Sequence, residues 1–166
     1  RKFMTEGEFS IVSLNVSERK GTRKHPVPEI RLVPDVGVEK DAHAGALPDR
    51  QVSLLAMEDI DAANENLSRR GMEHGTCAKV SNARLNPGDF AENITTRGVK
   101  LHDLPIGSKL FIGECELEVT RIGKECHAAC EIRTLVGDCI MPRRGIFARV
   151  VRGGRIGIED RGHYRF

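Results

Sequence analysis

The chain has no tryptophan and one tyrosine, and its six phenylalanines are too few to carry a core. The interior must therefore rest on Val, Ile, Leu and Ala. No apolar run approaches the ~18 residues that a membrane-spanning helix needs. No excess of one charge exists either: 26 basic residues face 24 acidic ones, for a net charge of +2. That balance excludes a general nucleic-acid binder. It leaves room for a local cationic pocket, because basic residues cluster between 143 and 155. No charged segment followed by an apolar one opens the chain, so no signal peptide is expected. The expectation is a cytoplasmic protein with no membrane partner, whose thiols stay reduced. Its five cysteines, Cys77, Cys115, Cys126, Cys130 and Cys139, are an odd number, so at least one is unpaired.

No repeat, low-complexity stretch or linker divides the 166 residues. That length suits one domain, which buries about two-thirds of its unfolded surface without a disulfide or metal. The reading is a single domain over 1–166 with its core at about 9–160. Phe9 to Val16 reads as a first strand, Ser17 to Pro28 as an exposed basic loop, and Glu29 to Val38 as a strand interrupted by Pro34 and Gly37. After a loop from Asp41 to Arg50 comes a short strand from Gln51 to Ala56. Met57, Ile60, Ala63 and Leu67 then repeat at helical spacing, which predicts a helix to Arg70 stopped by Gly71. Gly88 to Thr96 reads as a strand. Lys109 to Ile122 reads as a hairpin turned at Gly113-Glu114, and Gly145 to Ile158 as a second turned at Gly153-Gly154. Cys126 to Val136 reads as a short helix or irregular chain. Many short strands with glycine turns and one helix predict a mainly β fold, a barrel with peripheral helices.

Three segments carry a family likeness. The first is His43-Ala44-Gly45 followed by Arg50-Gln51-Val52-Ser53-Leu54. The second is Gly88-Asp89-Phe90-Ala91-Glu92-Asn93-Ile94. The third runs from Gly123-Lys124-Glu125-Cys126-His127 through Met141-Pro142-Arg143-Arg144-Gly145 to Val150. In this order and spacing the chain resembles a stand-alone bacterial MOSC domain, the C-terminal domain type of molybdenum-cofactor sulfurases. The resemblance implies a β-barrel whose cleft holds molybdopterin, with Cys126 as the thiolate ligand to molybdenum. It also implies one of two activities. One is cofactor handling or reduction of N-oxygenated compounds, as in the amidoxime-reducing relatives. The other is sulfur carriage through a Cys126 persulfide. The implied partners are a cysteine desulfurase, molybdenum-cofactor biosynthesis proteins or a redox partner.

The residues themselves are compatible with this chemistry. Lys124 and His127 flank Cys126, and neighbouring cations stabilise a thiolate. The competing reading is a buried small hydrophobe in a non-catalytic binding module. Cys130, four residues on, either packs or resolves an oxidised Cys126. Cys126, His127, Cys130 and Cys139 lack the paired knuckles of a structural zinc site. His43 would donate to a phosphate or shuttle a proton, or else lie exposed. Arg50 at a strand head would grip phosphate or a pterin carbonyl, or else form a surface ion pair. Ser53 would add a hydroxyl. Asn93 would face the pocket and Glu92 the other way, since neighbours on a strand alternate. Arg143, Arg144 and Arg149 would form a cationic seat, or else a solvated edge.

Overall fold

The computed structural model describes residues 5–20, 22–45, 47–74, 84–123, 140 and 144–166, with residues 67–74 described as backbone alone. The alternation visible in the sequence sets the strands. In β8 (Cys115–Ile122), Cys115, Leu117 and Val119 point into the core while Glu116, Glu118 and Thr120 point outward. β7 (Lys109–Ile112) precedes it through the Gly113-Glu114 turn and pairs antiparallel to it. β9 (Ile146–Arg152) sends Ile146, Ala148 and Val150 inward beside β8.

The sheet runs β11-β7-β8-β9-β5-β6-β1-β2, and β11 also pairs with β1. That last pairing closes a seven-strand barrel, with β2 (His25–Val27) hanging from β1 (Glu6–Val16). β5 (Val52–Ala56) and β6 (Ile94–Arg97) lie parallel, joined by a crossover that contains α1 (Met57–His74). Parallel neighbours require such a crossover. The crossover also explains why all five residues of β5 are buried. Val52, Leu54 and Ala56 face the barrel interior, while Leu55 faces Ile60 of α1, Phe90 and Phe147 in a second apolar cluster. A smaller sheet, β10-β3-β4, is built from Gly154–Gly157, Glu29–Val33 and Gly37–Val38.

The mainly β barrel is therefore as the sequence predicts, but several local expectations are corrected. Ser17 to Pro28 is not wholly exposed: β2 lies within it and Lys24 is buried. The helix continues through Gly71 to His74. Gly88 to Asn93 is not strand. Gly88 has φ +91°, with the Lys24 carbonyl where a side chain would start, and Ala91 has φ 63°, so the chain turns before β6 begins. Glu92 and Asn93 consequently do not alternate between core and solvent; both are buried. Gly153-Gly154 does not turn a hairpin. Gly153 lies against the Leu32 backbone, and β10 leaves the barrel to pair with β3. The closing strand β11 (Arg161–Arg165) was not anticipated, because its RGHYR sequence lacks an apolar run.

Candidate functional site

The loop from Asp41 to Arg50 enters β5 under tight control. Gln51 fixes its end: its side-chain amide donates to the Pro48 carbonyl at 3.0 Å, and its oxygen accepts from the Val150 N–H at 2.9 Å. Thr120 adds a hydroxyl bond to the Asp49 carbonyl at 2.7 Å. At the loop's start, Asp41 pairs with Lys24 at 2.8 Å, with side chains 1% and 0% exposed. Lys24 Nζ also reaches the Ser17 hydroxyl at 3.1 Å and His43 Nδ1 at 3.0 Å. Burial pushes the Asp41 carboxyl up. Lys24, by its hydrogen bond and its charge, and the Ser17 N–H outweigh this and hold it well below the usual carboxylate range.

Arg50, at the end of the same loop, lies with its guanidinium 5.9 Å from the centre of the Phe147 ring. Its Nε is buried and has no hydrogen-bond partner among the described residues. A buried donor left unpaired costs about 1–3 kcal/mol, so this atom is suited to an acceptor from a ligand. Phe147 belongs to the outer apolar cluster, and Ile140 packs against that cluster where the chain returns towards β9.

Ser53 and Asn93 face each other rather than an opening. The Ser53 hydroxyl and N–H both lie 3.1 Å from Asn93 Oδ1, and the Asn93 amide donates to the Asn15 carbonyl at 3.2 Å. Behind them Asn15 donates to the Glu92 carbonyl and to the Thr95 hydroxyl, each at 3.1 Å. This network fixes the chain between Ala91 and Ile94 against the head of β5. Arg149 stands on the outer face of β9, where its Nε lies 2.8 Å from Glu118 and its Nη1 3.8 Å from Asp35. The Arg149 hydrogen bond lowers the Glu118 carboxyl.

Cys126, Lys124 and Arg143, together with His127, Cys130, Cys139 and Cys77, lie outside the described residues. Cys115 is enclosed in the barrel core, and burial, then the Glu114 charge, pushes its thiol up to about 11. It is a packing residue, as its strand position predicts. Among the described residues no group of three His, Cys, Asp or Glu side chains is placed to hold a metal ion.

Two features escaped the sequence reading. Lys24 sits in a Gly- and Pro-containing charged stretch that mimics a solvated loop, and its partner Asp41 is seventeen residues away. His102 belongs to a group at the start of α1. Arg144 donates to its Nε2 at 2.6 Å, while its buried Nδ1 lies 3.8 Å from Asp59 and has no hydrogen-bond partner among the described residues. Burial raises the Asp59 carboxyl against the Arg144 charge. The only signal for this group was Asp59 in the helix's first turn.

Several solved structures share the fold. YuaD from Bacillus subtilis superposes with a TM-score of 0.75 at 16% identity, over 98% of each chain. YiiM from Escherichia coli gives 0.65 at 16% identity, over 95% of this chain and 69% of that one. YiiM from Geobacillus stearothermophilus gives 0.61 at 19% identity, over 92% and 72%. No curated protein matches the sequence significantly. No helix among the described residues is long and apolar enough to cross a membrane. The MOSC domain model matches residues 39–161, a span that holds the His43 and Arg50 loop, the Glu92-Asn93 turn and the Cys126 segment, so the chain belongs to the MOSC family, which is associated with molybdenum-cofactor binding.

Proposed function

We propose that this chain binds a molybdopterin-type cofactor, with Cys126 as its thiolate ligand, for cofactor handling or for reduction of N-oxygenated compounds. One observation carries the reading: Arg50 Nε is buried beside Phe147 without a hydrogen-bond partner among the described residues, and Phe147 belongs to the cluster against which Ile140 packs. The donor set suits the cofactor's groups. A guanidinium pairs with phosphate or a pterin carbonyl, and a thiolate is the soft ligand that molybdenum prefers. His43 and Arg50 would bind and orient the cofactor from the loop into β5. Lys124 and Arg143 would add positive charge around it, whereas the Arg149 charge is met by Glu118 and Asp35. Ser53 and Asn93 would act from behind, by fixing the strand head that carries Arg50. The cofactor, when bound, would supply the redox-active metal.

The test is molybdenum and pterin content of the full chain made in a molybdenum-replete host. The wild type should retain both, Cys126→Ala should lose molybdenum by at least about tenfold, and Arg50→Met should lose pterin by about tenfold or more. Equal contents in wild type and Cys126→Ala would reject thiolate ligation. Wild type free of metal and pterin that gains one sulfur atom on Cys126 after incubation with a cysteine desulfurase would replace this reading with sulfur carriage.

A further inference from the structure

Buried ion pairs return little stability, because desolvating two charges offsets most of their attraction. The Lys24–Asp41 pair is nevertheless almost wholly enclosed, and what it contacts shows its use. Asp41 accepts from the Ser17 N–H at 2.9 Å and from the His43 N–H at 3.2 Å. Lys24 Nζ lies 3.0 Å from His43 Nδ1. An ammonium group has donors only, so Nδ1 must accept and carries no proton. Asp41 cannot claim an Nδ1 proton instead, since its nearer oxygen is 3.8 Å from that nitrogen. In the neutral ring the proton therefore sits on Nε2. The side chain is 32% exposed, with its Nδ1 edge held by Lys24. Ser17, which bonds Lys24 through its hydroxyl, also lines an open cavity of about 510 Å³ with Glu18, Arg19, Thr22, Arg23 and His25. Arg19, Arg23 and His25 are basic there, and Glu18 is acidic.

We propose that Lys24 and Asp41 are positioning residues that lock His43 as the Nε2–H tautomer, so that it offers a fixed hydrogen-bond donor to a phosphate oxygen of the bound ligand. A ring locked this way donates and does not accept, which removes the proton-shuttle role from the neutral form. The ligand half of the proposal rests on the cofactor reading above; the lock itself does not.

The experiment uses the full chain labelled with ¹⁵N-histidine, in long-range ¹H–¹⁵N correlation spectra at about pH 8, where an ordinary imidazole is neutral. His43→Gln assigns the resonances by loss. The lock predicts limiting shifts, pyridine-type for Nδ1 and pyrrole-type for Nε2. Averaged or reversed shifts would overturn it. Lys24→Met should return averaged shifts; if that variant does not fold, the wild-type spectrum decides alone. In a second arm, inorganic phosphate should move the Nε2 resonance saturably. The apparent Kd should rise about tenfold in His43→Phe and stay within about threefold in His43→Gln, which keeps an N–H donor. A silent Nε2 under phosphate would overturn the ligand half. Absence of molybdenum and pterin from the wild type, with the lock intact, would defeat the cofactor reading and not the lock.

Discussion

Glu92 carries the strongest local consequence of burial in the described residues. Its side chain is fully enclosed, with the Phe90 N–H 3.3 Å from one oxygen and the Thr95 hydroxyl 2.7 Å from the other. Burial pushes its pKa up to about 7, from an ordinary 4.5, against the hydrogen bonds that favour the charged form. The folded state thus holds this proton more tightly than the unfolded chain. The stability it contributes is complete below pH 4.5 and is lost as pH rises through about 7. The size is on the order of 3 kcal/mol. Glu92→Gln should flatten the fall in melting temperature between about pH 5 and 8. Parallel curves for variant and wild type would show that Glu92 does not titrate in this window. The sequence could not reveal this carboxyl, because a continuous strand would have placed either Glu92 or Asn93 at the surface. The positive φ of Ala91 breaks that alternation and buries both.

At the scale of elements, Lys24 and Asp41 tie together the chain next to the ends of β1, β2 and β4, beside the apolar packing of Val16, Val27 and Val38. Lys24→Met should therefore cost about 3–5 kcal/mol, since it leaves a carboxylate buried without its counter-ion. Adding Asp41→Asn removes that charge and keeps one acceptor oxygen, which serves either the Ser17 or the His43 N–H. The double variant should be more stable than Lys24→Met alone, as read from urea midpoints at equal slope. Additive losses would mean that the two side chains act independently. What was legible at this scale depended on local pattern. The alternation in β8, the Gly113-Glu114 turn and the apolar repeat of α1 each need only neighbours within a few residues. Gly153-Gly154 misled because a glycine pair permits a hairpin without requiring one, and the backbone of Leu32, far away in sequence, decides where the chain goes. The site divides the same way. His43 and Arg50 stand out as polar residues at a loop and a strand head, whereas the residue that fixes His43 comes from a different loop.

For the whole molecule, the decisive event is closure between the two ends of the chain. Glu6 pairs with Arg165 and Phe9 with Gly162, so the barrel is open until β11 sits between β1 and β7. Contacts this distant in sequence are costly to form and slow to find. Gly162 is the narrowest point of that seam, because a Cβ there would run into the Phe9 ring, itself 2% exposed in the core. Gly162→Val should therefore destabilise the protein by about 3 kcal/mol, the upper end of ordinary overpacking, since Phe9 has nowhere to move. The loss should also be uneven. Amide protection in β11 and on the facing edges of β1 and β7 should fall further than protection in β8 and β9, which keep both their neighbours. A variant within about 0.5 kcal/mol of wild type, with protection unchanged along the β1–β11 seam, would mean that the barrel tolerates bulk at its closure and is held shut from elsewhere.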